Sequence, residues 1–453
     1  MIMSCKVPLL VYCFVPVTVL LLDCLHIAVS RPGLNGSLGL LCGQKDSRPF
    51  ADVTKAAGDV VGVALETRQG SAGNAPELAG YPDGFVYVYA MPKRFTDHVF
   101  NRTAAYHDTQ YDTDVHLHRF LLTSRVRTLN PEAASLFYIP MYLGYYLNTQ
   151  WSFEKEDGAP FKEGVAHASR FVSDALDHVR TSWPFWNRTN GADHVAVFGY
   201  DNGRCDAYGF LKDARREVGQ LISIQANGDL VARSWAHQYD PDRAPDDFFC
   251  HAPGRDVVVP MWLKPNRIVR PLESNRSIPL LYRFSARDQH GARYGHEIRK
   301  ELHEQWVRDP FPGSDFAART AEETLADMSR AVFCVTPPGN TQDTARFWKA
   351  ISMGCIPVSF FRAFDRPFER SRLLDYDTFT VNLETDDITG RLNDVIRAIL
   401  DDPARLRTLQ DGLARVQELL QYDKTTESGS CYGLILKELA IRATGRGAAS
   451  KNM

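Results

Sequence analysis

An α/β protein with parallel sheets in two domains follows from three observations on the sequence. Short apolar strands alternate with helix-patterned segments over most of its 453 residues. One stretch, Ala331 to Phe361, reads strand, loop, helix, strand without interruption. The length also exceeds one usual domain, and 44% hydrophobic with 24% charged residues is enough apolar material for sizeable cores. The net charge is −3 with both signs interspersed, which argues against a nucleic-acid binder.

Taken from the start, Val7 to Val29 is an apolar run broken only by Asp23 and His26, long enough to cross a bilayer as a helix. A cleaved signal peptide is the competing reading, because the uninterrupted core ends at Leu22. Either way the rest enters the secretory route. Four N-x-S/T sites (Asn35, Asn101, Asn187, Asn275) agree with that route. Of nine cysteines, Cys42, Cys205, Cys250, Cys334, Cys355 and Cys431 would then be lumenal and free to pair, in a connectivity the spacing does not fix. We assign residues 1–30 to the anchor and 31–80, rich in Gly, Ser, Ala and Pro, to a stem linker.

Order is expected from Gly84, where FVYVYAMP is a strand ended by proline. Tyr111 to Thr128 reads as a helix with acidic residues in its first turn, and Asn130-Pro131 as the start of a further helical turn. Leu136 to Pro140 is a buried strand, Gly164 to Thr181 a helix, and HVAVFGY from His194 a buried strand running into an acidic loop. Asp256 to Pro260 is another strand. The polar stretch from Lys264 to Pro279 marks a boundary, giving domains over 81–268 and 269–430 and a C-terminal helix and tail over 431–453. Beyond it, Leu280 to Arg287 opens the second half as a strand, and Tyr294 to Trp306 is helical. Phe379 to Leu383 is a strand; Leu392 to Leu400, Pro403 to Leu420 and Tyr432 to Ile441 are helices.

Chemistry concentrates at the Ala331 to Phe361 unit. Pro337, Pro338 and Gly339 break the chain after the first strand, Asp343 or Thr344 can cap the helix, and Gly354 closes it. Parallel pairing places that loop at the carboxyl edge of the sheet, where a helix N-terminus suits a phosphate. Arg346 and Lys349 add positive charge nearby. Arg283, Arg287 and Arg293 follow the first strand of the second half and suit a diphosphate or, equally, a solvated basic loop. Asp201 lies just past the end of the His194 strand, and Asp193-His194 at its start; a carboxylate or imidazole there can take a proton from an attacking hydroxyl. Asp112, Asp114, His116 and His118 look like a metal cluster, but in a helix they step around the axis and do not converge. Asp240/Asp242 and Asp375/Asp377 are weaker acidic pairs still.

Four blocks in order resemble the exostosin family of glycosyltransferases. FVYVYAMPKRF is similar to its VYVYDLP strand. SRVRTLNPEAASLFYIPMY is similar to S-x-x-RT-x-DPEEADLFFVPFY, with Asn130 at the aspartate position. PFWNRTNGADHVAVFGYDNGRC resembles PYWNRSGGRDHFFVxxHDxGxC, and FCVTPPGNTQDTARFWKAISMGCIPVSF resembles FCLCPxGxxxxSxRLxEAIxxGCIPVI. The resemblance implies two Rossmann-like domains facing across a cleft, the GT-B arrangement, a type II anchor in the Golgi, and inverting transfer from a nucleotide sugar, usually a UDP-sugar, to a glycan. It implies a donor site in the C-terminal domain and chemistry that runs without a metal, and it makes a Cys334–Cys355 disulfide plausible. On this basis Asp201 and then His194 are the candidate bases. Arg287, Gly339, Asn340, Thr341, Thr344, Arg346 and Lys349 are the candidate donor-binding residues. Trp151, Trp183 and Trp186 are candidates for stacking on acceptor sugars, though core packing is the better explanation of each. Lys349 departs from the pattern, where the family commonly has an acid, and Tyr200 replaces a His before Asp201. Those two departures keep open a non-catalytic partner of an active glycosyltransferase; a secreted sugar-binding module is a third reading.

Overall fold

The computed structural model describes residues 81–97, 99, 109–147, 161–208, 218–230, 249–264, 268–272, 276–285, 297–317, 319–384, 388, 390–423 and 429–450, all within one compact unit, Gly73–Met453. The apolar N-terminal run, the stem, Arg287, Arg293, Trp151, the Asp240/Asp242 pair and the Asn35, Asn101 and Asn275 sites lie outside the described residues. Among those described, no helix is long and apolar enough to cross a membrane.

Eleven strands form two parallel sheets among the described residues. The first contains β1 (Val86–Val88), β2 (Arg127–Thr128), β3 (Leu136–Tyr138), β4 (His194–Phe198), β5 (Ile222–Gln225) and β6 (Val257–Val258), in the order β2-β1-β3-β4-β5-β6. The second contains β7 (Ile278–Tyr282), β8 (Asp315–Phe316), β9 (Ala331–Thr336), β10 (Ile356–Ser359) and β11 (Val381–Asn382), in the order β11-β10-β9-β7-β8. Helices α1 (Thr113–Leu121) and α2 (Phe161–Ser182) belong to the first half. The second half has α3 (Ile298–Arg308), α4 (Ala321–Arg330), α5 (Ala345–Ser352), α6 (Leu392–Leu400) and α7 (Pro403–Val416). Strands buried on both faces read as continuous apolar runs, which is why β4 and β9 were legible.

The change of sheet falls between β6 and β7. The last helix, α8 (Cys431–Ser450), packs back on the first half: Tyr432 stacks on Phe120 with ring centroids 4.2 Å apart, and Arg442 donates to the Asp256 carbonyl at 2.9 Å. It is longer than the sequence suggested. The expected helix from Tyr111 to Thr128 is shorter. It ends at Leu121, because Arg127 and Thr128 pair in parallel with Val86 and Tyr87 as an edge strand.

Both halves also meet through backbone. The Asp365 amide donates to the Gly228 carbonyl (2.8 Å) and the Leu230 amide to the Ala363 carbonyl (2.9 Å). His251 and Arg370 both bond Asp365, and Gln342 donates to Asp229 (2.8 Å). Gly228 permits this approach, since a Cβ there would stand 2.1 Å from the Asp365 carbonyl oxygen. Gly228→Ala is therefore expected to cost about 1–3 kcal/mol, read as a lowered urea midpoint at unchanged slope. An unchanged midpoint would show that the clip gives way freely.

Candidate active site

In sheets of this kind the crevice opens where the strand order reverses, at the carboxyl ends of the strands. In the second sheet that point lies between β7 and β9, which are neighbours although β8 comes between them in sequence. A cleft of about 940 Å³ lies there. One wall is built by the segment after β7 (Arg283 to Ser285), the end of β8 with the residue that follows it (Phe316, Ala317) and the segment after β9 (Gly339 to Thr344), with α5 behind them. Opposite stand Gln110, Tyr111, Asp201 and Met261 from the first half.

The β9–α5 segment folds for local reasons. Phe347, Trp348, Ala350 and Ile351 bury one face of α5 against the sheet. Gly354, in the left-handed region at φ 66°, lets the chain turn into β10. The Cys334–Cys355 disulfide forms, as does Cys205–Cys250, which ties the chain after β4 to the segment before β6. Cys431 is a buried free thiol.

Seven of the nine candidate residues line this one cleft: Asp201, Gly339, Asn340, Thr341, Thr344, Arg346 and Lys349. Asn340 Nδ2 reaches across to Asp201 Oδ2 at 3.1 Å, so the loop after β9 touches the loop after β4. Arg346 Nε donates to the Arg283 carbonyl at 2.5 Å, which fixes the guanidinium beside the crevice. The Lys349 ammonium is held below its ordinary range, first by burial and then by Arg346, and among the described residues no carboxylate offsets that cost. Two cations placed side by side at a cleft suit an anionic ligand.

Two expectations need correction. His194 begins β4 rather than ending it, so the whole strand separates it from Asp201. Its ring is fully buried, with Nε2 bonded to the Tyr89 hydroxyl (2.8 Å) and Nδ1 to Asp193 (2.7 Å). It holds the core and does not reach the cleft. Arg283 does line the cleft, but its charge is spent on Asp327 and Asp315. The Gly339 amide is likewise used locally, donating to the Thr341 carbonyl at 2.9 Å. Arg287 lies outside the described residues. Trp186 is buried beneath Gly191, and Trp183 packs on Tyr89 (4.8 Å), so both serve the core.

The acidic and imidazole residues around α1 disperse. Asp112 accepts from Thr109, Asp114 from the Gly144 amide, His118 bonds Tyr142, and His116 stacks on Trp262. Asp375 caps a turn at Asp377. No group of three or more such side chains could hold a metal among the described residues.

Sequence reasoning missed Arg299, His303, Arg319, Tyr111 and Asp343 as lining residues. Arg299 comes from α3 and donates to the Pro338 carbonyl (2.7 Å), supporting the loop from below. Tyr111 is pressed into place because Gly144 and Gly199 leave room for its carbonyl; a Cβ at either would stand within 2.6 Å of that oxygen. Its hydroxyl is kept protonated by burial and by the neighbouring Asp201.

Residues 82–399 match the exostosin GT47 domain, and the chain belongs to that family of glycosyltransferases. It is 27% identical over 386 residues to a probable glucuronosyltransferase of rice (Oryza sativa subsp. japonica), covering 83% of this chain and 86% of the relative. It is 29% identical over 300 residues to a probable β-1,4-xylosyltransferase of Arabidopsis thaliana, covering 65% and 66%. Superposition on the crystal structure of Anabaena Alr3699/HepE in complex with UDP-glucose gives a TM-score of 0.36 at 11% identity, covering 79% of this chain and 100% of that one, too loose a likeness to argue from.

Proposed function

We propose that this protein transfers a sugar from a nucleotide sugar, a UDP-sugar in our reading, to a glycan or glycoprotein acceptor with inversion at the anomeric carbon. One observation carries the proposal: Asp201 from the first half faces Arg346, Lys349 and Thr344 from the second across a single cleft. In one displacement the Asp201 carboxylate takes the acceptor's hydroxyl proton as that oxygen attacks the anomeric carbon. Arg346, Lys349 and the start of α5 hold the diphosphate as its bond to the sugar breaks and its charge grows. No metal is needed in this scheme, because cationic side chains do that work. Residues 81–268 would serve the acceptor side and 269–430 the donor side. The relatives' names make glucuronic acid and xylose the first sugars to test.

A type II protein of the Golgi membrane, with the catalytic part lumenal, completes the proposal. The apolar run near the N-terminus supports it, and so do two disulfides, which persist in oxidising compartments. Lys349 favours a second reading, a fold-keeping partner of an active glycosyltransferase, since it stands where the resemblance expects an acid.

A panel of nucleotide sugars separates these readings. Thermal stabilisation by one donor, with slow hydrolysis of it, supports the enzyme; no response to any donor supports the partner. Arg346→Ala is expected to weaken binding of the responding donor by about 10–100-fold, as loss of a charge-assisted contact would, while the protein still melts cooperatively. Unchanged affinity would take Arg346 out of the site.

A further inference from the structure

Two buried polar atoms at the start of α5 are unsatisfied, and both belong to residues lining the cleft. Asp343 is 1% exposed. Its Oδ1 accepts from Trp348 Nε1 at 2.7 Å, whereas Oδ2 makes no hydrogen bond. Next to it, Thr344 Oγ1 is buried and also without a partner. Thr344 is the N-cap of α5, yet its side chain does not cap the helix. Buried polar atoms are nearly always paired, so two adjacent exceptions on residues that line one cleft mark the place of a ligand.

The surroundings decide what Asp343 offers that ligand. Arg346 and Lys349 stand on α5, Arg299 and His303 on α3, Asp201 after β4 and Tyr111 before α1. Tyr376 interacts with the carboxyl from the turn Tyr376–Thr378, and the Met261 and Thr344 amides also face it. The charged groups of the wall behind the cleft are mainly cations, as a diphosphate requires. An ionised carboxylate among them would repel that ligand at contact distance, while a neutral acid would donate a hydrogen bond to it.

Resting on the nucleotide-sugar reading, we infer that Asp343 works as an un-ionised acid, donating from Oδ2 to a phosphate oxygen of the donor beside the Thr344 hydroxyl. Burial, with help from Asp201, pushes the Asp343 carboxyl up to about 8, so the acid form prevails at neutral pH. A bound dianion raises it further. The sign follows: affinity is full while Asp343 is protonated and declines as pH rises through and above 8. Lys349 loses charge on the same alkaline side and needs its own control.

UDP, titrated calorimetrically into the full chain between about pH 6.5 and about pH 9.5, is the test. Wild type should bind about tenfold more weakly at about pH 9 than at about pH 7, since each unit above a group's pKa removes about tenfold of its acid form. Asp343→Asn keeps a donor that cannot ionise, so its alkaline decline should vanish and above about pH 8 it should bind more tightly than wild type. Thr344→Val should weaken binding at every pH and leave the decline in place, as should Lys349→Met. An alkaline decline that persists in Asp343→Asn and is lost in Lys349→Met overturns the inference. So does Asp343→Asn binding at about pH 7 as poorly as Asp343→Ala, which would mark a charged acceptor instead. Failure of wild type to bind UDP at any pH removes the nucleotide-sugar reading and this inference with it. UDP binding that is lost in Arg346→Ala but indifferent to Asp343 removes only the inference.

Discussion

Asp201→Asn is expected to lower transfer to a sugar acceptor by about 10²–10⁴-fold while changing UDP affinity less than about threefold. The argument starts from position. Asp201 lies three residues beyond the end of β4, half-buried at the edge of the cleft, on the wall opposite the cations. The supports of its loop do not depend on its charge. Asn202 is held by two bonds to Asp206 (2.7 and 2.8 Å), and Cys205 is covalently tied to Cys250. An amide oxygen can still accept from Asn340, so the cross-cleft contact survives the substitution. What asparagine cannot do is take a proton. The loss should therefore appear in kcat, with donor KM nearly unchanged. A kcat within about threefold of wild type would dismiss Asp201 as the base.

Arg276→Ala should cost about 3 kcal/mol or more of stability. The Arg276 guanidinium donates to the carbonyls of Pro271 (2.7 Å), Ala331 (2.6 Å), Met353 (3.1 Å) and Arg270 (3.2 Å). Ala331 and Met353 are the C-caps of α4 and α5, whose last carbonyls carry the negative ends of two helix dipoles. One planar fork thus closes two helices and the linker between the sheets. Burial lowers its pKa only to about 10, so it stays charged at neutral pH. A lysine has one nitrogen and cannot span these acceptors, so Arg276→Lys should recover less than half of the loss. Urea denaturation measures both. UDP affinity well below the melting temperature should not follow, because Arg276 sits at the amino end of the second sheet, away from the cleft.

Apolar continuity made β4, β9 and β10 legible, and the Pro-Pro-Gly break with a short amphipathic helix made the β9–α5 wall of the cleft legible. Elements held by polar contacts were not. Strand β5 alternates Ile222 and Ile224 with Ser223 and Gln225, which looks half-exposed, yet all four are buried. Gln225 Nε2 reaches the Asn227 and Cys250 carbonyls at 2.7 and 2.8 Å, a pairing visible only once the fold exists. Helix α4 has few apolar residues, but its capping box, Thr320 with Glu323, is a sequence signal that would have located it. In the site, Arg299 and His303 arrive from a helix whose register against the cleft follows from packing alone. Asp343 or Thr344 is the cap the sequence suggests, but Asp343 bonds Trp348 instead and its other oxygen is buried without a partner. His194 failed for a plain geometric reason, since a strand has two ends and only one opens on the crevice.

Cys334 and Cys355 enclose Gly339, Asn340, Thr341, Asp343, Thr344, Arg346 and Lys349 in a covalent ring. A protease that severs the backbone anywhere within it releases no fragment, and the cut shows on a denaturing gel only after the sulfurs are reduced. The same closure limits how far the segment wanders when nothing is bound, so less freedom would be surrendered to the proposed nucleotide. A thiol reductant should thus weaken UDP retention before it melts the protein.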